Sequence, residues 1–256
     1  MALDIGKRKM TMGVSIYNVI RRLNMKRSQI NQEIKWAKTL LEKNNIKLPP
    51  FGYWTLEEWK SSNRNLATIK EVMLGWDITD YGRDNFNELG AVLFTLRNGS
   101  LKDNRIGTPY AEKLIVLKDG QRLPIHYHES KTEDIINRAG GVLAIKLYNS
   151  LENGNVDYLS KVCVDLDGVP HTFEAGEKIN IYPGNSITLR PYMYHLFWAK
   201  EGCGDLVCGE VSSINDDNID NFNAEDVSRF SKVEEDEPIL HPLCNEYNMV
   251  LQEQNG

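Results

Sequence analysis

The chain has 256 residues, a formal net charge of −6 and a hydrophobic content of 41%. This length allows a substantial buried core and fits one elaborated domain, or one domain with a small appendage; we predict one. The acidic balance argues against nucleic acid or an anionic membrane as a partner, because either would require a concentrated basic face. A small molecule or another protein is the more natural partner.

Cysteine usage and hydropathy indicate a reducing compartment. The four cysteines form no C-x-x-C pair and are too few to cross-link a chain of this length. No apolar run approaches the roughly 20 residues of a membrane span, and the N-terminus lacks the apolar core of a signal peptide. We therefore expect a cytoplasmic protein.

The first quarter of the chain predicts helices that pack outside a larger unit. Residues 1–24 show little periodic signal and are treated as an N-terminal extension. From Ser28, the expected N-cap, apolar residues recur every three or four positions, which predicts an amphipathic helix ending near residues 44–45. Thr55 and Glu58 form a capping-box pattern, which predicts a second short helix within a helical segment of residues 25–74.

From about Gly75 the pattern changes to short β-rich segments separated by turn residues every eight to twelve positions. This rhythm predicts a mainly β protein, an antiparallel sandwich or barrel, over residues 75–256. Its C-terminal part turns acidic, which indicates solvated loops. The predicted strands are residues 91–96, 113–117, 122–128, 141–147, 162–166, 179–182, 186–189, 195–198 and 206–211, with turns at 98–99, 119–120, 167–168 and 183–184.

One stretch in the middle of the chain carries the pattern of a metal site. His126 and His128 project to the same side of a strand, because side chains alternate with period two, and Glu133 can curl back from the adjoining turn. Of the other histidines, His195 is best placed to be a fourth ligand. Three imidazoles and one carboxylate suit Mn, Fe, Co, Ni or Zn, and in octahedral geometry they leave two adjacent positions open.

A hairpin argument places Lys113 beside this stretch. A two-residue turn at residues 119–120 would set Lys113 directly opposite His126, and opposed residues point to the same side of the sheet. The alternative is a lysine at the end of a strand that reaches solvent. Lys113 is therefore a candidate catalytic residue.

A second hairpin argument concerns Glu210. If residues 201–204 form the turn, Glu210 lies opposite His195 on the metal face, although a shift of one residue would send it outward. A carboxylate in an otherwise apolar strand needs a partner or a function, because an unpaired buried acid is costly. The alternative is a position facing solvent.

The glycines that flank the histidines identify a superfamily. Residues 120–140 match G-x5-H-x-H-x4-E-x6-G at every position, which is the first motif of the cupin superfamily. The second cupin motif is looser: residues 176–195 keep the glycine, the Pro-Gly turn and the histidine, with extra residues before the histidine. The expected fold is a cupin, a double-stranded β-helix or jelly-roll barrel, with the N-terminal helices packed outside.

Several longer segments resemble the bacterial D-lyxose isomerase family, from about Met25 almost to the C-terminus. The segments are residues 75–82, 95–99, 110–113, 123–128, 209–217 and 235–238. The resemblance implies a manganese-dependent homodimeric cupin that interconverts an aldose and its ketose, D-lyxose with D-xylulose and often D-mannose with D-fructose.

Aldose–ketose isomerisation sets the roles expected of these residues. The reaction moves a proton between neighbouring carbons through an enediolate, so it requires a base, for which Glu210 is the first candidate, and charge stabilisation. Lys113 is expected to stabilise the enediolate oxygen, and Asp217 and Glu235 to reach the sugar from the C-terminal loops. The alternatives are an oxygen-dependent cupin dioxygenase and a non-enzymatic sugar- or metal-binding cupin.

Overall fold

The computed structural model describes residues 24–214 and 220–251. The predicted extension, residues 1–24, lies outside the described residues except for its last position, and so does Asp217. Among the helices of the described part, none is long and apolar enough to span a membrane.

In the described residues, four α-helices and one 3-10 turn accompany a mainly β structure. Thr55 and Glu58 form the predicted capping box at the start of the second helix. Ser28 is not the N-cap of the first helix, because the helix begins one residue earlier; the N–H and hydroxyl of Ser28 instead donate to the carboxylate of Asp236. The helices are α1 Arg27–Lys43, α2 Leu56–Ser61, α3 Ala67–Glu71 and α4 Tyr247–Val250, with the 3-10 turn at Pro50–Gly52.

The strands form two large sheets and one short parallel pair. They are β1 Met25–Lys26, β2 Gly75–Thr79, β3 Ala91–Gly99, β4 Gly107–Leu117, β5 His126–Tyr127, β6 Glu133–Gly140, β7 Leu143–Ser150, β8 Val156–Asp157, β9 Val162–Leu166, β10 Val169–Phe173, β11 Ile179–Ile181, β12 Ser186–Leu189, β13 Met193–Ala199, β14 Leu206–Ser213, β15 Phe222–Asn223 and β16 Val233–Glu234. The larger sheet has the order β10-β9-β12-β6-β14-β4-β3-β2. The smaller sheet has the order β11-β7-β13-β5-β15, with β8 beside β7, and β1 pairs with β16.

Two apolar cores lie on the two faces of the larger sheet. Along β3, Leu93 packs into the barrel interior with residues of the smaller sheet such as Phe197. Its neighbours Val92 and Phe94 point outward and pack against the apolar face of α1, which includes Ile34. A sheet covered on both faces explains why β2 and most of β3 are buried at every position. The prediction of a mainly β jelly-roll barrel with helices outside is confirmed.

The turn at residues 119–120 forms as predicted, but the predicted pairing beyond it is wrong. The Gln121 N–H donates to the Lys118 carbonyl, which closes the turn. After it the chain crosses to the smaller sheet, where the Leu123 N–H donates to the Phe197 carbonyl. The hairpin prediction failed because it assumed one continuous ribbon, whereas a closed barrel lets the chain change sheets at this corner.

Candidate active site

Three histidines from two neighbouring strands converge inside the barrel. His126 opens β5 and lies directly opposite His195 of β13, and His128 follows β5 by one residue. One ring nitrogen from each lies within 4.8 Å of the others. The Nε2 atoms of His126 and His195 are 3.0 Å apart. This group of three imidazoles could hold a metal ion.

Backbone carbonyls hold the outer nitrogen of each ring. The three Nδ1 atoms lie between 2.5 and 3.1 Å from the carbonyl oxygens of Pro124, Asp220 and Met193. Because a carbonyl oxygen only accepts, Nδ1 carries the proton of each neutral ring and Nε2 presents its lone pair. Nε2 of His128 is buried and has no hydrogen-bond partner among the described residues. These are the donors that a divalent metal requires.

Burial keeps two of these rings neutral. It lowers the pKa of His126 well below the usual 6.5, and it lowers the pKa of His195 to about 4. Neutral imidazole is the form that binds a metal ion, so near neutral pH these two rings offer their lone pairs without first losing a proton.

Glu133 supplies a carboxylate to the same point. It is the first residue of β6 rather than part of a turn, and its Oε1 lies 3.4 Å from His128 Nε2 and 3.2 Å from His195 Nε2. Burial by itself opposes ionisation, but the Lys131 ammonium holds the pKa of the Glu133 carboxyl well below its usual value. The structure therefore brings all four residues of the predicted ligand set together.

Glu210 lies in the same cavity, between two lysines. Its Oε1 is 3.5 Å from Lys113 Nζ and 3.1 Å from Lys131 Nζ. The predicted register opposite His195 is wrong, because β14 lies in the larger sheet and β13 in the smaller one. Glu210 is instead paired with Lys113 on β4 and with Ile135 on β6. The inward direction expected for Glu210 and Lys113 is nevertheless observed, since both line the cavity.

Lys131 is the main cavity residue that the sequence interpretation missed. It is buried, and its Nζ lies 2.8 Å from Glu133 Oε2 as well as 3.1 Å from Glu210 Oε1. One signal could have found it, because Lys131 precedes Glu133 by two residues and a period of two places both on one side of an extended chain. Arg229 also lines the cavity and donates to Asp77 at 2.6 Å.

Of the two acids expected from the C-terminal loops, neither is placed at the cavity. Asp217 lies outside the described residues. Glu235 is bound elsewhere, because its carboxylate accepts hydrogen bonds from Arg27 at the start of α1. Asn221 and Asn223, from the segment that follows residue 219, do line the cavity.

Sequence comparisons place most of the chain in one group of sugar enzymes. The model of the D-lyxose isomerase family matches residues 25–247. A D-lyxose/D-mannose isomerase from Escherichia coli O157:H7 is 41% identical over 224 residues, covering 87% of this chain and 98% of the relative. One from Serratia proteamaculans is 41% identical over 225 residues, with the same coverage of both chains.

Solved structures of two L-ribose isomerases share the fold. That of Acinetobacter sp. DL28, in complex with L-ribose, matches with a TM-score of 0.54 at 14% identity, covering 82% of this chain and 98% of the other. That of Geodermatophilus obscurus matches with a TM-score of 0.53 at 15% identity, covering 82% and 99%. At this identity the likeness concerns the fold alone.

Proposed function

Because the chain belongs to the D-lyxose isomerase family and is an aldose–ketose isomerase, we propose that it interconverts D-lyxose and D-xylulose with a divalent metal cofactor. D-mannose and D-fructose form the second proposed pair, as the names of the two bacterial relatives suggest. The observation that supports the reaction most directly is the joint placement of a metal-type donor set and the Glu210 carboxylate in one cavity.

The metal would be held by the three Nε2 atoms and by Glu133. Mn2+ is the first candidate, with Co2+, Fe2+, Ni2+ or Zn2+ as alternatives, because mixed imidazole and carboxylate donors suit all of these borderline ions. When bound, such an ion supplies Lewis-acid stabilisation of the negative charge that develops on the sugar oxygens. The buried and unpartnered Nε2 of His128 supports this assignment.

The other cavity residues would move the proton. Conversion of the aldose to the ketose takes a proton from C2 and returns one to C1, while a hydroxyl proton passes from O2 to O1; no oxidant or reductant is consumed. We assign removal of the C2 proton to Glu210, whose carboxylate is buried in the cavity and therefore shielded from bulk water. Lys113 and Lys131 flank that carboxylate and would stabilise the enediolate oxygens through their ammonium groups.

Assembly and compartment are part of the same proposal. The family resemblance implies a homodimer, and all four cysteines are free thiols, as expected in the cytoplasm. Light scattering during size-exclusion chromatography measures the mass directly, and the 29.3 kDa mass of a single chain would contradict the dimer.

Anaerobic turnover tests the reaction. Protein loaded with Mn2+ is incubated with D-lyxose without oxygen, and D-xylulose is measured; we expect ketose to form, EDTA to abolish it and added Mn2+ to restore it. In D2O the ketose should carry deuterium at C1 in each turnover in which the base exchanges its proton with solvent before returning it. Turnover that requires oxygen would contradict the isomerase assignment and favour the dioxygenase alternative. No described residue of the cavity specifically supports a dioxygenase. Binding of D-lyxose without turnover would favour the non-enzymatic alternative.

A further inference from the structure

Asp220 holds the loop that carries Lys131. Its Oδ1 accepts the backbone N–H groups of Glu129 at 2.8 Å and Ser130 at 3.2 Å. Its Oδ2 accepts the Lys131 N–H at 3.1 Å and the Ser130 hydroxyl at 2.8 Å. Three consecutive N–H groups thus share one carboxylate. These bonds hold the pKa of Asp220 below its usual value against the opposing effect of partial burial.

Asp220 also orients His128, one of the proposed metal ligands. The carbonyl oxygen of Asp220 lies 2.5 Å from Nδ1 of His128 and accepts a hydrogen bond from its N–H, which directs Nε2 of that ring into the cavity. Immediately afterwards β15 begins, pairs with β5 and contributes Asn223 to the cavity wall. Asp220 therefore joins the C-terminal segment to both sides of the site.

The position of the loop matters because Lys131 contacts two carboxylates at once. Its Nζ lies 2.8 Å from Glu133 and 3.1 Å from Glu210, and both distances lie within the range for a hydrogen bond. A displacement of the loop by about 1 Å breaks at least one of these contacts, and misplacement on that scale can cost about 100-fold in rate.

We propose that Asp220 is a positioning residue of the isomerisation, which acts through Lys131 with its carboxylate and through His128 with its backbone carbonyl. Asp220 itself does not line the cavity. This inference rests on the proposed function, because the groups that Asp220 positions are those assigned to the metal and to the enediolate.

Asp119 offers a matched control. Its carboxylate also accepts three consecutive backbone N–H groups, those of residues 202–204, at 3.0 to 3.1 Å. It is exposed and does not line the cavity. Asp119→Ala and Asp220→Ala therefore remove the same kind of loop anchor at two places, one remote from the site and one next to it.

The experiment compares the two variants as Mn2+-loaded protein and as metal-free protein. For Asp220→Ala we expect kcat for D-lyxose to fall about 10- to 100-fold, because misplacement of a cavity group such as Lys131 by about 1 Å can cost about 100-fold in rate, with KM changed less than about threefold. Mn2+ titrated into the metal-free protein should bind within about tenfold of wild type, because the substitution keeps the carbonyl that orients His128. Asp119→Ala should lower the unfolding midpoint comparably and keep kcat within about twofold.

A milder variant covers the case in which Asp220→Ala does not fold. Asp220→Asn is isosteric, keeps Oδ1 as the acceptor for residues 129 and 130, and loses the bond to the Lys131 N–H; kcat should again fall at least about tenfold. If this variant keeps kcat within twofold of wild type, or if Asp119→Ala and Asp220→Ala lose kcat equally, the assignment to Asp220 is wrong while the proposed function stands. If wild-type protein with Mn2+ turns over no aldose, the proposed function fails and the assignment fails with it.

Discussion

Two groups of buried polar side chains differ in how completely the protein itself supplies their hydrogen-bonding and charged partners. The first, the Arg27 cluster, consists of Arg27, Glu235 and Glu246. The fully buried guanidinium donates to both oxygens of Glu235, at 2.9 and 2.7 Å, and to both oxygens of Glu246. Although burial opposes the charge, the two carboxylates raise the pKa of Arg27 above its usual value. Every charged group in this cluster has its partner within the chain.

The second group, in the cavity, is incomplete without a ligand. The Nε2 atoms of His126 and His195 face each other at 3.0 Å, and Nε2 of His128 has no hydrogen-bond partner among the described residues. Two neutral rings whose Nε2 lone pairs face each other form no hydrogen bond between those atoms. Burying an unpaired polar atom has a cost, which the Arg27 cluster avoids and which an ion bound by the cavity imidazoles would offset.

Removal of a cavity imidazole should produce the largest effect on activity. His128→Gln deletes the unpartnered Nε2, so we expect the affinity for Mn2+ and kcat each to fall at least about 100-fold. The metal-free protein should lose about 1–3 kcal/mol in the free energy of unfolding, because the hydrogen bond from His128 Nδ1 to the Asp220 carbonyl is removed with the ring. Calorimetric Mn2+ titration and denaturant unfolding measure the two quantities. His171→Gln, at an exposed position of β10, is the control and should match wild type.

The proposed base should separate catalysis from metal binding. Glu210→Gln keeps the shape of the side chain but removes its basicity, so kcat should fall about 10²- to 10⁴-fold, the usual contribution of a general base. Mn2+ should still bind, since Glu210 is not among the proposed ligands. Full activity in this variant would contradict the assignment, and loss of Mn2+ binding would make Glu210 a ligand instead.

A substitution in the Arg27 cluster should lower the stability of the protein without changing its activity. Arg27→Met leaves Glu246 buried without its partner, which is expected to cost about 3–5 kcal/mol in the free energy of unfolding. Urea denaturation measures this loss, while kcat per folded molecule should stay unchanged. Arg105→Met removes a surface ion pair with Asp103 and should have no measurable effect on unfolding. A large fall in kcat for Arg27→Met would contradict the contrast between the two groups.

His241 offers a smaller, pH-dependent test of a buried group that is satisfied internally. Its Nδ1 donates to the Trp54 carbonyl, and its Nε2 lies 3.0 Å from Lys38 Nζ. Burial lowers the pKa of His241 below 6.5, and the charge of Lys38 acts in the same direction. The unfolded chain therefore binds a proton more readily, and the stability due to neutral His241 should be lost as pH falls below about 6.5. His241→Asn should flatten the dependence of unfolding free energy on pH between 5 and 7. An unchanged slope would contradict this.

Local patterns predicted the elements of the site well. The spacing of His126, His128 and Glu133 lies within a single short stretch, so alternation and motif spacing were sufficient to bring these residues together. The capping box at Thr55 was predicted for the same reason, since it depends on residues three apart. In the first helix, Ser28 failed as the N-cap because a long-range partner, Asp236, binds its side chain instead.

Pairing between distant strands was beyond local reasoning. Lys113 and Glu210 were expected opposite His126 and His195, yet they are paired with each other. Both still reach the cavity, because β4 and β14 present the same faces to the barrel interior whichever strand lies beside them. Side-chain alternation survives a change of partner, whereas register does not.

The sequence by itself determined that the chain folds as a cupin of the D-lyxose isomerase family, because these signals lie in short segments whose chemistry does not depend on distant partners. Only the tertiary structure decided which charges meet: Lys131 between Glu133 and Glu210, Asp220 against the loop that carries Lys131, and Arg27 between two C-terminal acids. Each of these contacts, apart from that between Lys131 and Glu133, joins residues at least 79 positions apart. Barrel closure sets their distances, and no local pattern encodes it.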